Sequence, residues 1–410
     1  MEARMLPHRG VRLTPVRQMY LVAFFSSLSY MAANSVFPPF AREQGYEVAA
    51  IGGLMSVFAV ASLLSRLPTG ALFHGASAPR AIAVGALVQG ASTAAYALAD
   101  GYGALFALRV VGGIAYGVVT TVNMTLLMSA IERPEQRGAV TGWYLFWMAA
   151  AYSVGNYGTG VLVDTLGYGA TFQLAAAVVL GVLPLLRQWA ARPPPLSAPR
   201  ARPALAFAPR DLRMLASLPL LIPALQAFTV NALFQVMWVF YPLYGLNVGL
   251  SLSVLGVQRG AYSSASMLTR PFVGQTGRRV PYSRIATGAL VASASLTALV
   301  PLFTSFWPLL GLHIVLGGLR SGALVGSMAA AVEYGGDDPR QRGLAAGMYN
   351  FATDAGNILG PLAGGLLAEQ VGLPALFVLL PALLLAVYLG VLGASRMVVA
   401  CRRALGRAEA

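Results

Sequence analysis

Twelve apolar stretches alternate with short polar breaks along the chain, at about residues 18–40, 48–73, 80–99, 103–131, 138–163 and 168–188, then 214–244, 251–274, 283–303, 306–332, 343–367 and 373–398. Each is about twenty residues or longer, enough for a helix rising 1.5 Å per residue to cross ~30 Å of hydrocarbon. Inside hydrocarbon the backbone must satisfy its own hydrogen bonds, so such runs predict helices. The break between the sixth and seventh stretches, Ala190 to Arg213, contains Arg192-Pro-Pro-Pro and Pro199-Arg-Ala-Arg-Pro203. That composition excludes a membrane helix and predicts an extended linker. The pattern therefore predicts an all-α integral membrane protein, with six helices over 1–189, a linker over 190–213 and six more helices over 214–410.

The two groups repeat. Adding 204 carries Pro38 to Pro242, Gly52 to Gly256, Arg66 to Arg270, Gly70 to Gly274 and Gly113 to Gly317. After one inserted residue an offset of 205 carries Gly142 to Gly347, Gly155 to Gly360, Gly160 to Gly365 and Gly167 to Gly372. An even number of spans per copy leaves both copies in the same orientation. The bundles are thus parallel, related by an axis along the membrane normal.

Composition agrees: 57% of residues are hydrophobic and 10% charged, where soluble domains carry roughly 25% charged residues. All the basic residues are arginine, and the net charge is +14. A nucleic-acid partner needs a basic patch on a soluble fold, whereas these arginines sit in the gaps between apolar runs. With the N-terminus inside, all but Arg42, Arg109, Arg259 and Arg320 fall in or beside inner segments. The positive-inside rule then places both termini and the linker in the cytoplasm, in a cell inner membrane. The first apolar run is too long for a cleaved signal and lacks a small-x-small site.

One cysteine, Cys401, and three scattered histidines, His8, His74 and His313, predict no disulfide and no metal site. No cofactor is implied. No nucleophile has a plausible base and no glycine-rich loop follows a strand, so an enzyme is not expected. Nor is there a nucleotide-binding domain to supply energy from ATP.

Three motif regions resemble the major facilitator superfamily, and the resemblance covers essentially the whole chain. Arg66-Leu-Pro-Thr-Gly70 with Arg80 resembles the family's loop between helices 2 and 3, with His74 where the family has an acid. The second copy is Arg270-Pro-Phe-Val-Gly274, with Arg278 at that position. The resemblance implies a gating role for Arg66, Gly70, His74, Arg270 and Gly274. Arg109 with Gly113 and Gly117 resembles the helix 4 motif associated with proton coupling. Gly356-x3-Gly360-Pro361-x2-Gly364-Gly365 resembles the antiporter signature, although that signature belongs in helix 5, where this chain has Gly155-Asn156. The implied protein is a secondary transporter working by alternating access on the major facilitator fold, a monomer taking a small-molecule substrate and protons.

Ionisable residues within spans are rare and mark pathways. Asp354 is the one acid deep in a span, and Arg109, Arg259 and Arg320 are deep cations. Counting from the outer helix ends puts Arg320 at ~20 Å and Asp354 at ~18 Å, so a pair between them is allowed, either static or functional. Burial disfavours a charged carboxylate while a neighbouring arginine favours it, a balance suited to binding and releasing protons. Asp354 and Arg109 are the candidates for proton coupling. Arg320, Asn34, Asn231, Gln235, Trp147 and Asn350 are the candidates for substrate binding. The leading expectation is proton-driven export of a small organic molecule. The alternatives are uptake of an anionic metabolite by symport, or a receptor or scaffold on the same fold.

Overall fold

The computed structural model describes residues 15–72, 77–131, 137–191, 214–215, 217–276, 279–336 and 338–408. His74, both termini and nearly all of the 190–213 linker lie outside the described residues. The helices are α1 (Pro15–Glu43), α2 (Val48–Leu72), α3 (Ala78–Ala95), α4 (Tyr102–Ser129), α5 (Arg137–Leu180), α6 (Val182–Ala191), α7 (Leu218–Val239), α8 (Tyr241–Asn247), α9 (Leu252–Thr276), α10 (Tyr282–Thr297), α11 (Phe306–Tyr334), α12 (Pro339–Val371) and α13 (Leu373–Ala408).

Among the described residues nine helical stretches are long and apolar enough to cross a bilayer. One of them, Val140–Leu186, is two spans, because at Gly167 the backbone takes φ 80° and the chain turns back. Gly372 makes the equivalent turn between α12 and α13 with φ 83°, a conformation that a Cβ strongly disfavours. The remaining two spans are α9 and α12, whose apolarity is diluted by Gln258, Arg259 and Arg270 and by Arg342 and Asp354. Among the described residues the result is an all-α membrane protein whose helices fit twelve spans in two parallel bundles. Leu64, Val84, Leu383 and Trp307 are among the large apolar side chains left facing outward, as a lipid solvent requires.

Equivalent glycines make equivalent contacts in the two bundles. A Cβ on Gly113 of α4 would stand 2.6 Å from the Phe58 carbonyl of α2, and Gly317 of α11 lies as tightly against the Tyr262 carbonyl of α9. Lipid tails are as apolar as leucine, so helices in a bilayer gain most from this close backbone packing. The same register joins the halves. Gly52 of α2 packs on the Pro361 carbonyl of α12, and a Cβ at Gly256 of α9 would stand 2.7 Å from the Asn156 carbonyl of α5. Within each half, a Cβ on Gly155 would stand 3.2 Å from Met31 of α1, and one on Gly360 would stand 3.2 Å from Gln235 of α7. Each of these pairs of positions is related by 204 or 205.

The seams between halves lie toward the end of the molecule that carries the Gly45, Gly167, Gly249 and Gly372 turns. There Ser56 Oγ donates to the Ile358 carbonyl at 2.7 Å, Asn156 Nδ2 to Ser263 Oγ at 3.1 Å, and Arg259 Nη1 to the Ser35 carbonyl at 2.7 Å. Toward the opposite, arginine-bearing end, Gly142 of α5 and Gly343 and Gly347 of α12 have nothing within 4 Å of a would-be Cβ. The halves are locked together at the glycine-turn end.

Candidate functional site

A cavity of about 330 Å³ lies between the halves, lined by Tyr30, Met31, Phe58, Ala59, Ser62, Arg66, Tyr116 and Tyr152 from the first and by Asn231, Phe234, Gln235, Trp238, Arg320, Leu324, Thr353, Asp354 and Asn357 from the second. Two larger grooves, of about 600 and 500 Å³, run beside α4 and are walled almost wholly by apolar side chains such as Leu64, Phe106 and Ile114. They open outward where lipid tails fit. The central cavity joins both halves and carries charge, which makes it the candidate site.

The helices that build it place one residue from each copy at matched positions. Tyr30 and Phe234, Met31 and Gln235, and Tyr116 and Arg320 are each 204 apart, and Tyr152 and Asn357 are 205 apart. The first-half wall is aromatic: Tyr30 stacks on Tyr116 at 4.3 Å and packs on Phe58 at 5.3 Å, and the Tyr116 and Tyr152 hydroxyls approach to 3.4 Å. The second-half wall sets Phe234 against Trp238 at 5.1 Å.

Asp354 lies on this cavity and pairs with Arg66 Nη1 of the other half at 3.6 Å. The pair between Arg320 and Asp354 that the helix counting allows is not what forms. Arg320 instead stacks on Phe234, its guanidinium carbon 3.4 Å from the ring centre, and reaches Asn231 Oδ1 at 3.5 Å. The direction in which each side chain points selects the partner. Gln235 Nε2 reaches Asn357 Oδ1 at 3.4 Å across the cavity floor.

Other sequence candidates fall elsewhere. Arg109 is 1% exposed and sealed behind Phe58. Its Nε donates to the Leu54 carbonyl at 3.0 Å and its Nη1 to Asn34 Oδ1 at 2.7 Å, while its face stacks on Phe37. Asn34 therefore anchors Arg109 rather than facing the cavity. Trp147 packs edge-on against Phe24 of α1, away from the cavity lining, and Asn350 is exposed outside it. Arg270 is half-buried near the end of α9, and Gly70 and Gly274 fall in the last turns of α2 and α9. Sequence reasoning missed Tyr30, Phe58, Tyr116, Tyr152 and Phe234. The signal was the repeat itself, since applying the offset to Asn357 and Arg320 returns Tyr152 and Tyr116.

Twelve spans in two parallel bundles around a charged, aromatic central cavity define a membrane transporter fold. Residues 19–285 and 227–397 match the Major Facilitator Superfamily, and the chain belongs to that family. It is 23% identical over 374 residues to the MFS-type transporter SLC18B1 of Mus musculus, spanning 84% of this chain and 78% of that protein. It is 32% identical over 175 residues to the multidrug resistance protein MdtG of Citrobacter koseri, a match to 40% of this chain and 41% of that one. The fold is similar to the nucleoside transporter NupG (D323A mutant), with a TM-score of 0.77 and 13% identity, covering 92% of this chain and 100% of that structure. It is also similar to an inward-facing, unoccupied bacterial homologue of the lysosomal transporter Spinster, with a TM-score of 0.70 and 15% identity over 93% of this chain and 94% of that one.

Proposed function

We propose that the chain is a monomeric, proton-coupled exporter of a small organic molecule, working by alternating access in a cell inner membrane with both termini and the linker in the cytoplasm. The observation that carries it is the Arg66–Asp354 pair. The carboxylate faces the central cavity, its partner belongs to the other half, and the pair spans 3.6 Å. A proton on Asp354 removes the attraction to Arg66, so protonation and the separation of the halves become one event. Substrate and proton are taken in turn: the cavity holds substrate while Asp354 is ionised, and the proton binds Asp354 once substrate has left. This links proton and substrate binding reciprocally, as coupling requires. The arginine-bearing end faces the cytoplasm in this reading, so the cavity is poised to load from inside. The partial match to a multidrug resistance protein supports export over uptake.

The test is flux in proteoliposomes. With an inward-directed proton gradient, the expected result is uphill movement of a compound against the protons, collapsing when the gradient is dissipated. Orientation is checked with an impermeant thiol reagent on cells carrying a cysteine in the 190–213 linker after Cys401→Ala. Labelling is expected only after the membrane is opened. Labelling of intact cells overturns the topology, and gradient-independent equilibration of every compound tested overturns the coupling.

A further inference from the structure

Building on the transport reading above, we infer that the central cavity takes an organic anion, with one carboxylate held by Arg320 and a flat apolar body seated on the aromatic walls. Two guanidiniums, Arg66 and Arg320, and one carboxylate, Asp354, face the cavity. Arg66 and Asp354 pair with each other, which leaves Arg320 without a counterion among the described residues. Its contacts bring no counter-charge: Asn231 Oδ1 is 3.5 Å from Nη2, the Tyr262 side chain and the Phe234 ring are its other neighbours, and Nε is buried with no hydrogen-bond partner. A desolvated guanidinium is matched best by a carboxylate, which accepts two parallel N–H bonds. An organic cation meets Arg320 with only an already paired acid to oppose it.

The walls supply the rest of the recognition. Tyr30 and Tyr116 lie nearly parallel, 14° apart, and Phe234 and Trp238 present a second tilted pair. Tyr30 and Tyr116 cover each other and Arg320 covers one face of Phe234, so the walls offer a planar ring their edges and outer faces. The cavity, about 330 Å³, is at the small end of ligand sites, which favours one or two fused rings. Because the repeat puts Tyr116 where the second half has Arg320, the ligand is polarised, with its carboxylate toward the second half and its ring toward the first.

Equilibrium binding to the purified protein in detergent tests this, with 1-naphthoate, the neutral 1-naphthalenemethanol and the cationic 1-naphthylmethylamine as probes. The expected order of affinity is naphthoate, then alcohol, then amine. Arg320→Gln is expected to weaken naphthoate by about tenfold to a hundredfold, the worth of a charge-assisted bond, with the alcohol little changed. Asn231→Asp keeps Arg320 but gives it an internal carboxylate, and is expected to weaken naphthoate as well. Thermal unfolding identifies which variants are folded. Tighter binding of the amine, no binding of naphthoate by the wild type, or unchanged naphthoate affinity in both folded variants overturns the inference. Gradient-driven flux of a cation with no anion binding overturns it too, yet leaves the transport reading standing.

A different observation concerns how the glycine-turn end is held. Asp164 of α5 accepts from the Ser253 backbone N–H at 2.7 Å and from the Ser253 hydroxyl. Ser253 is the second residue of α9, in the other half. The repeat carries Asp164 to Glu369 and Ser253 to Ala49, and the Glu369 carboxyl lies against the Glu47 carboxyl and, beside it, the backbone N–H of Ala49, the second residue of α2. We propose that these two carboxylates are reciprocal latches, each half capping a helix start of the other while this end is closed. Opening the end withdraws both carboxylates and returns the helix amides to water, so the caps act on one state of the cycle only.

Labelling of a cysteine at Ser35, which is buried in the sealed seam, reads the opening in a Cys401→Ala background. Asp164→Ala is expected to raise the labelling rate by about 2-fold to 30-fold, the range of a lost N-cap. Asp164→Asn, which still accepts from the amide, is expected to retain most of the protection. Adding Glu369→Ala multiplies the effect of Asp164→Ala. Labelling unchanged in the folded alanine variants, or as fast in Asp164→Asn as in Asp164→Ala, overturns the latch.

Discussion

Asp354→Asn is expected to abolish proton-driven accumulation while leaving substrate exchange across the membrane intact. The asparagine keeps the shape of the side chain and removes its titration. No other carboxylate lines the cavity among the described residues, so nothing nearby takes over the proton. Exchange down a concentration gradient requires only that the loaded protein reorient. Accumulation requires that protons move in fixed ratio to substrate, and is expected to fall to the level of empty liposomes. Stability should change little. The Arg66 and Asp354 side chains are 43% and 20% exposed, and a pair open to solvent is worth about 1 kcal/mol or less. If the pair is only a structural tie, neutralising both partners in Asp354→Asn with Arg66→Gln restores pH-dependent accumulation. If Asp354 carries the proton, the double variant stays uncoupled.

The second large effect is expected from Gly52→Trp combined with Gly256→Trp. Both glycines sit at seams where a Cβ alone meets a backbone carbonyl of the other half, Pro361 at one and Asn156 at the other. Backbone has no rotamer to adjust, so the halves must part to admit the indoles. Overpacking costs typically 1–3 kcal/mol per site, and the two seams are separate enough for the costs to add. Together they shift the closed-to-open ratio at the glycine-turn end by about 30-fold to 20,000-fold. Turnover should be lost, because one half-cycle ends in the closed seam. A cysteine at Ser35, protected in the native glycines, should become reactive. Full turnover by the folded double variant contradicts the closure described here.

The fold was largely legible in the sequence because a bilayer imposes a length on every span and a sign on every loop. The duplicated glycines carried more: Gly52 with Gly256, and Gly113 with Gly317, repeat their contacts as well as their spacing. The site was legible only in part. Asp354 stood out because an acid in hydrocarbon is costly, and the structure puts it on the cavity. Its partner was not legible, since counting residues gives height along a helix while the pairing with Arg66 depends on how two bundles face each other. Trp147 fell outside the cavity lining for the same reason, since its side chain turns to Phe24. Asn34 was buried and polar as expected, yet its carbonyl oxygen is taken by Arg109. The aromatic wall was overlooked because tyrosine and phenylalanine are ordinary in membrane helices, and only the repeat register singles out Tyr30, Tyr116 and Tyr152.

The central claim is that Asp354 exchanges its proton against substrate. Proton release from the purified protein in weakly buffered detergent solution tests it most directly, using a compound that the flux measurements show to be moved. Adding that compound to the wild type near the pH of half-protonation is expected to release protons in proportion to the occupied protein, and the same addition to Asp354→Asn to release none. Equal proton release by the wild type and by folded Asp354→Asn contradicts the account.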